Sequence, residues 1–290
     1  MLVFVILCFL SVDVTDSALR VLLGRDAEQT EFPYVVRMEI RHKAKNKTQL
    51  VLQNSHMCTA SALTPTWSLT AGHCIKHLNL IITEKWVIDP KGVVRYGSPS
   101  GIPSQNDKFS DIVSYVMHPA YLSMYAMNGV RVHNDIGLLK TLPVKLEHYA
   151  KLSAVDYNTM AGQAAKALGY GLMLMEKEIK NTLQLGRALQ VLDVVVQDCA
   201  FFIKKNKMIY PGLCLNRRCG NPSSLCKGDS GGPIMHFSGI LGVISTGISS
   251  DCKVKHVKKG ISSNIVGLIT PVSPFINWIT DHIKTTSDQT

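Results

Sequence analysis

Short segments rich in β-branched residues recur between turn residues along most of this chain, and they restrict the folds open to it. They are residues 34–40, 93–96, 111–117, 189–196, 239–246 and 265–270. Strand-like runs at this spacing are typical of an all-β sandwich or barrel. Helical periodicity is clear only near the end, where Ser273 precedes a segment that carries Phe275, Trp278 and Ile279. The pattern predicts two β-rich halves followed by a C-terminal helix.

The amino end carries the longest apolar run of the chain, MLVFVILCFLSV at residues 1–12. A bilayer-spanning helix needs about 20 residues, so this run is too short to cross a membrane. Its length fits the core of a signal peptide that is cleaved near Ser17. We therefore expect residues 1–17 to be a signal peptide and the protein to be secreted and extracellular. No second apolar stretch of spanning length follows, so no membrane partner is expected.

The cysteines agree with the secretory route. The sequence has eight, and Cys8 lies in the predicted signal peptide. Disulfides are the expected state of the remaining seven, and the odd number leaves one thiol either free or paired with another molecule. The sequon at Asn46, followed by Lys47 and Thr48, predicts glycosylation on the same route.

The chain is basic, with 31 Lys and Arg against 21 Asp and Glu and a formal net charge of +10. No zinc-finger spacing or RNA-binding signature accompanies this charge, so nucleic acid is not an expected partner. Two basic clusters stand out: Arg41, His42, Lys43, Lys45 and Lys47, and Lys253, Lys255, His256, Lys258 and Lys259. Each is either an ordinary solvated face or an exosite for a polyanion such as an acidic substrate or a sulfated polysaccharide.

Three short segments carry the residue types that nucleophilic catalysis needs. They are LTAGHC ending at Cys74, HNDIGLL beginning at His133, and CKGDSGGP beginning at Cys226. A serine hydroxyl becomes a good nucleophile when an imidazole removes its proton, and a carboxylate fixes the tautomer of that imidazole. Glycines around the serine let two backbone N–H groups approach the developing oxyanion. No HExxH pair occurs, so neither a metal nor a cofactor is expected.

These segments, in the order His, Asp, Ser, resemble the chymotrypsin-like (S1) serine peptidases. The resemblance covers about residues 21–285 and includes EFPY at residues 31–34, HPAY at 118–121, GYG at 169–171 and FINWI at 275–279. It implies an all-β fold of two antiparallel six-stranded β-barrels with a C-terminal α-helix. The implied peptidase domain spans residues 21–290, with barrels at about 34–145 and 160–272 and the helix at about 273–285.

The resemblance also implies roles for individual residues. His73 is then the general base, Asp135 its orienting partner and Ser230 the nucleophile. The N–H groups of Gly228 and Ser230 form the oxyanion hole. The segment Ser245-Thr246-Gly247 resembles the strand that pairs with the substrate backbone. Protein and peptide substrates, an activating protease and protein inhibitors are the implied partners.

Activation is implied at the amino end. Arg20 followed by Val21 resembles the cleavage site of the family, which leaves residues 18–20 as a short activation peptide. The freed ammonium of Val21 would then pair with a buried Asp229. Leu23 departs from the glycine that is usual there.

The resemblance pairs six cysteines, as Cys58–Cys74, Cys199–Cys214 and Cys226–Cys252. Cys219 is left over, either as a free thiol or in an intermolecular disulfide.

Substrate preference in this family depends largely on the residue six before the nucleophile, here Ser224. No acidic residue occurs from Cys199 to Lys227, so a preference for Lys or Arg before the cut is not expected. Ser224, with Gly247 and Gly267, resembles the open pocket of chymotrypsin-type members, which takes apolar side chains. Leu225 shortens this pocket and favours medium apolar residues. We expect cleavage after Leu, Phe or Tyr.

Three other functions compete with this interpretation. A catalytically silent member of the same fold would act as a binding or regulatory protein, although such relatives usually lose a triad residue. A cysteine-dependent hydrolase would need Cys74 free, and the expected disulfide argues against that. A metal-dependent one would need an HExxH pair, which the sequence lacks. A lectin-like or structural β-protein would use the basic clusters alone.

Overall fold

The computed structural model of the chain describes residues 24–46, 49–85, 87–97, 107–126, 129–171, 188–199, 209–217, 225–247 and 265–284. Two closed β-barrels make up most of it. The strands of the first barrel are β2 (Val35–Asn46), β3 (Gln49–Ala62), β4 (Trp67–Thr70), β5 (Ile88–Tyr96), β6 (Lys108–Met117) and β9 (Gly137–Thr141). They close in the order β2-β3-β4-β9-β6-β5, and every pair is antiparallel.

The second barrel uses the carboxyl-terminal half of the chain. Its strands are β10 (Ala164–Gly169), β11 (Gln190–Asp198), β13 (Leu213–Arg217), β14 (Pro233–His236), β15 (Gly239–Gly247) and β16 (Ile265–Pro271). An antiparallel pairing of β11 with β13 closes this ring of six strands. The short strand β1 (Arg25–Asp26) lies beside β11, so the start of the described chain is attached to the second barrel. The fold is thus the double barrel that the sequence predicts.

A small sheet, two α-helices and two 3₁₀ turns, at Tyr157–Thr159 and Ser273–Phe275, complete the described elements. The hairpin of β7 (Leu122–Ala126) and β8 (Gly129–His133) lies outside the first barrel, and β12 (Ile209–Tyr210) pairs parallel to β8. Helix α1 (Gly72–Thr83) follows β4 directly, and α2 (Ile276–Lys284) follows a 3₁₀ turn at Ser273–Phe275. The described residues contain no helix long and apolar enough to cross a membrane.

Each barrel has its own apolar core because its strands turn alternate residues inward. The first core includes Met38, Leu69, Leu78 and Leu138, all with at most 1% of their surface exposed. Phe275 and Ile279 join the same cluster, so α2 packs against the first barrel although it follows the second in sequence. The first cluster also includes Ile240 and Val243 of β15, so the core of the first barrel continues into residues of the second.

Candidate active site

His73 stands in the first turn of α1, directly after β4. A Cβ atom at Gly72 would lie 2.9 Å from the ring of Tyr121 and 3.3 Å from the backbone nitrogen of Ile136, so only glycine fits where the two segments cross. This close approach brings His73 beside Asp135. The His73 backbone N–H donates to Asp135 Oδ1 at 2.8 Å, and its Nδ1 lies 2.8 Å from Oδ2.

Asp135 is fully buried in the loop between β8 and β9. The preceding Asn134 has a φ of +51°, and its side chain donates to the Ala120 carbonyl at 2.8 Å, which holds the turn in shape. Ser245, on β15 of the second barrel, donates its hydroxyl to Asp135 Oδ2. The carboxylate is therefore bonded from both barrels. Sequence analysis assigned Ser245 only to the substrate strand and missed this hydrogen bond.

The protonation of this pair follows from its contacts. Burial lowers the pKa of His73, but the charge of Asp135 and the hydrogen bond to it raise that pKa by more, so it lies above its ordinary value. Burial raises the pKa of Asp135. The charge of His73 and the hydrogen bonds from His73 and Ser245 lower that pKa by more, so it lies below its usual range. Both shifts favour an ionised carboxylate beside an imidazole that readily accepts a proton.

Ser230 lies in a loop that packs against β3 and the end of β4. Its carbonyl accepts a hydrogen bond from the Thr59 N–H at 2.9 Å. Gly231 has a φ of +82°, and a Cβ there would come within 2.2 Å of both the Thr59 carbonyl and the Thr70 hydroxyl. Within the described chain, the side-chain hydrogen bond of His73 runs from Nδ1 to Asp135, and its Nε2 lies 3.7 Å from the disulfide sulfur of Cys74 without a bond to the Ser230 hydroxyl. Such bonds are often long in ligand-free enzymes and shorten on substrate binding.

Gly228, the other predicted oxyanion residue, is held by its carbonyl group. That oxygen accepts from the Thr59 hydroxyl at 2.8 Å and from His56 Nε2 at 3.2 Å. Gly228 has a φ of +95°, which a side chain would rarely tolerate. Both donors belong to β3 of the first barrel, so that barrel fixes the conformation of a loop from the second. Sequence analysis did not single out His56 or Thr59.

Asp229 is buried and receives two backbone hydrogen bonds. Its Oδ1 accepts from the Gly171 N–H and its Oδ2 from the Cys226 N–H, both at 2.7 Å. A Cβ atom at Gly169 or Gly171 would lie within 2.4 Å of this carboxylate, which explains why glycines flank Tyr170. The predicted activation residues Arg20 and Val21 lie outside the described residues, as does the predicted signal peptide.

The walls of the predicted specificity pocket are partly described. Leu225 is buried, and a Cβ at Gly267 would lie 2.5 Å from its Cδ1 atom, while one at Gly247 would lie 2.6 Å from its carbonyl oxygen. Leu225 therefore packs directly against both wall glycines. Thr246 donates its hydroxyl to the Gly247 carbonyl at 3.1 Å. Ser224 lies outside the described residues.

A cavity of about 390 Å³ opens on the other side of the Gly228 loop. Its lining includes Ile40, Met57, Ile81 and Val87, with His56 and Gly228 on one wall. Three histidines and Lys227 also contribute to the lining, but its surface is mainly apolar, so the cavity suits an apolar group.

Two of the three predicted disulfides are formed, Cys58–Cys74 and Cys199–Cys214. Cys252, the predicted partner of Cys226, and the leftover Cys219 lie outside the described residues. Cys58, His73 and Cys74 have sulfur and nitrogen atoms within 4.8 Å of one another. Both sulfurs belong to the disulfide, so this group does not offer thiolates to a metal.

The first basic cluster lies on the hairpin of β2 and β3. Lys43 and Lys45 are exposed, whereas His42 is buried and lines the cavity. Lys47 and the whole second cluster, residues 253–259, lie outside the described residues. Asn46, the predicted glycosylation site, is the last residue of β2.

The family model described as Trypsin matches residues 21–279 of this chain. The chain belongs to the trypsin family of serine proteases. Among its curated relatives, a trypsin of Phaedon cochleariae is 25% identical over 93% of this chain and 91% of the relative. The anionic trypsin of Canis lupus familiaris is 26% identical over 97% of this chain and 98% of the relative.

A solved structure of neuropsin, described as a serine protease expressed in the limbic system of mouse brain, superimposes with a TM-score of 0.63. The two sequences are 20% identical, and the superposition covers 90% of this chain and 98% of the neuropsin chain. At this identity the similarity shows the shared fold alone. The fold and the family therefore agree with the resemblance on which the sequence analysis rests.

Proposed function

We propose that this trypsin-family chain is a secreted serine endopeptidase that works through Ser230, His73 and Asp135. The observation that supports it most directly is the buried Asp135 carboxylate, which bonds His73 through both backbone and side chain and also accepts from Ser245. A buried carboxylate with its partners in place is what holds an imidazole in the tautomer that leaves Nε2 free to accept a proton. Protein and peptide substrates follow from the family.

The reaction divides into two acyl transfers. The Ser230 oxygen attacks the carbonyl carbon of the scissile bond, and its proton passes to Nε2 of His73. His73 then gives that proton to the leaving amine as the carbon–nitrogen bond breaks, which leaves an acyl ester on Ser230. A water molecule repeats the attack, again losing its proton to His73, and the ester is hydrolysed. The N–H groups of Gly228 and Ser230 stabilise the oxyanion in both halves.

We further propose that the chain is made as a zymogen and is activated by cleavage after Arg20. The proposal rests on the buried position of Asp229 inside a cradle of glycines and backbone donors, which is suited to receive a charged amino group. Secretion, the signal peptide at residues 1–17, glycosylation of Asn46 and protein inhibitors as partners belong to the same proposal.

A preference for apolar residues before the cut completes the proposal. Leu225 packs against Gly247 and Gly267, so the pocket wall is apolar and partly filled, as a pocket for medium apolar side chains requires. No acidic side chain lies among the wall residues that the structure describes, which are 225, 247 and 267.

A fluorophosphonate probe, which esterifies an activated serine, tests the catalytic proposal. We expect labelling of the protein after cleavage at Arg20, weak labelling of the uncleaved protein, and none of Ser230→Ala. Ser114→Ala, at an exposed serine on β6, is the matched control and should label normally. If the cleaved, folded wild-type chain fails to label, the alternative stands: a catalytically silent homologue that acts as a binding or regulatory protein.

A further inference from the structure

The hairpin of β2 and β3 presents an unusual outer face near its tip. In the strand register Lys45 pairs with Leu50 and Lys43 with Leu52, and β5 adds Ile88 on the other side of Lys43. Directly paired residues of neighbouring strands share one face of a sheet. Leucine and isoleucine therefore alternate with lysine across three strands. We call this set the hairpin face; it comprises Lys43, Lys45, Leu50, Leu52 and Ile88, with Arg41 and Lys91 in the next row.

The three aliphatic side chains of the hairpin face are largely in solvent. Leu50 is 58% exposed, Leu52 is 67% exposed and Ile88 is 52% exposed. Single exposed apolar residues are common on protein surfaces, and Phe237 on the β14–β15 turn is one. Three on one face, with only the Lys43 stem between Leu52 and Ile88, are different, because clustered apolar groups mark contact surfaces. Burying them against a partner would release their hydration water.

The same face is positively charged. It carries four cations, Arg41, Lys43, Lys45 and Lys91, and one carboxylate, Asp89, which pairs with Lys43 at 3.1 Å. The Arg41 guanidinium stacks over the Phe109 ring at 4.6 Å and donates to Asn54. Arg41 therefore stabilises the base of the hairpin face. Lys45, in the row of Leu50, and Lys91, in the row of Arg41, supply charge that can reach a partner.

We propose that the hairpin face docks this protein on an anionic phospholipid surface. Lysine stems lie along apolar surface while their ammonium groups reach phosphates, and aliphatic tips enter the boundary between headgroups and acyl chains. Protein interfaces instead concentrate Trp, Tyr and Arg and are poor in lysine, so the composition favours lipid over a protein partner. A polysaccharide would use the lysines and leave the leucines exposed. Contact of this kind is peripheral and needs no spanning segment.

The opposite face of the hairpin stays free in this arrangement. Ile40, His42 and Ser55 alternate with the docking residues along β2 and β3 and line the cavity beside Gly228. Docking through the hairpin face therefore leaves the predicted catalytic side of the molecule open to substrates.

Vesicle co-sedimentation tests the proposal with the full chain carrying Ser230→Ala, so that no proteolysis interferes. We expect binding to phosphatidylcholine vesicles that contain phosphatidylserine, weaker binding as salt rises, and little binding to phosphatidylcholine alone. Leu50→Ser with Leu52→Ser should weaken binding by about tenfold or more per leucine. Lys45→Gln with Lys91→Gln should weaken it by about fivefold per lysine.

Matched controls keep the test specific. Phe237→Ser removes an exposed apolar side chain elsewhere, and Lys151→Gln an exposed cation elsewhere, and neither should change binding. Thermal unfolding confirms that each variant folds, and Leu52→Thr replaces the double serine variant if that one does not. Failure of the wild-type chain to sediment with anionic vesicles overturns the proposal. So does binding that depends on the lysines but not on the leucines, which would indicate a polyanion site, and so does self-association through the same leucines without vesicles.

Discussion

At the scale of single residues, the Asp135–His73 pair governs the pH at which the proposed enzyme works. Because the pKa of His73 lies above 6.5, His73 is protonated, and unable to act as a base, until the pH rises past that value. We expect the acid limb of kcat/KM to have its midpoint above pH 6.5. Asp135→Asn removes the charge that raises this pKa, so the limb should move to lower pH while kcat falls by about 10⁴. Hydrolysis of a peptide substrate measured across pH gives both numbers.

Ser245→Ala tests the other hydrogen-bond donor to Asp135. It removes one hydrogen bond that lowers the pKa of Asp135 but leaves the carboxylate and its bonds to His73 in place. A carboxylate that has lost a donor attracts the His73 proton more strongly, so the acid limb should move slightly to higher pH, opposite to that of Asp135→Asn, and kcat should fall far less. An acid limb unchanged in Asp135→Asn would contradict the assigned partnership.

The sequence motifs predict the candidate catalytic residues but not all of the hydrogen bonds that hold them in place. The Gly-Asp-Ser run predicts a catalytic loop from local sequence alone. The hydrogen bonds of Ser245 to Asp135 and of His56 and Thr59 to Gly228 join residues more than 100 positions apart. Residues of these types occur throughout the chain, so only the folded barrels show which of them contact the predicted catalytic residues.

At the scale of elements, strands were easier to predict from the sequence than the helix that carries His73. The β-branched runs at 93–96 and 265–270 lie in β5 and β16, and the helix expected after Ser273 is present as α2. Helix α1 was not expected, because Ala71 at its start makes no side-chain capping bond and the first turn carries no acidic residue. Burial of Cys74, Ile75 and Leu78 against the first barrel replaces those local signals.

Leu225 lies between the two strands that form the walls of the predicted specificity pocket. Leu225 fills space between Gly247 on β15 and Gly267 on β16, so Leu225→Ala should deepen the pocket. We expect kcat/KM to fall for peptides with Leu before the cut and to rise for those with Phe or Tyr. The ratio of the two on matched peptides is the measurement. Trimming a buried leucine costs about 2–5 kcal/mol of stability, so thermal unfolding must show that the variant is folded at the assay temperature.

Two outcomes bear on the pocket in different ways. An unchanged Leu-to-Phe ratio in the folded variant would mean that Leu225 does not limit the pocket. Cleavage by the wild-type chain mainly after Lys or Arg in a peptide library would contradict the apolar preference itself, while leaving the serine mechanism intact.

At the scale of the whole molecule, residues of β3 and the GYG segment join the two barrels. Tyr170 donates its N–H to the Thr59 hydroxyl at 3.1 Å and its own hydroxyl to the Val35 carbonyl at 3.2 Å. The Arg37 guanidinium lies 5.0 Å from the centre of the Tyr170 ring and is itself paired with buried Glu39. Burial raises the pKa of Tyr170 to about 12, so this tyrosine stays neutral and keeps its hydroxyl proton for Val35.

His56 stands at the same junction and makes the stability of the whole fold depend on pH. Burial, and after it the charge of Arg37, lowers the pKa of His56 to about 3. Its Nδ1 atom is buried and has no hydrogen-bond partner among the described residues, so an added proton there would be unsatisfied. The unfolded chain takes up that proton near pH 6.5 and the folded chain does not. The contribution of neutral His56 to the free energy of unfolding is therefore fully present above pH 6.5 and is lost as the pH falls toward 3.

His56→Gln isolates this contribution, because glutamine can still donate to the Gly228 carbonyl but does not titrate. Arg37, Glu39 and Arg95 surround the site in both proteins, so their effects cancel in the comparison. We expect the free energy of unfolding of the wild type, relative to the variant, to fall by about 1.4 kcal/mol for each pH unit between about pH 5.5 and 4. Urea denaturation at a series of pH values measures it. Parallel pH profiles for the two proteins would show that folded His56 takes up its proton at the same pH as the unfolded chain, and the two barrels would then meet around a charged imidazole at acid pH.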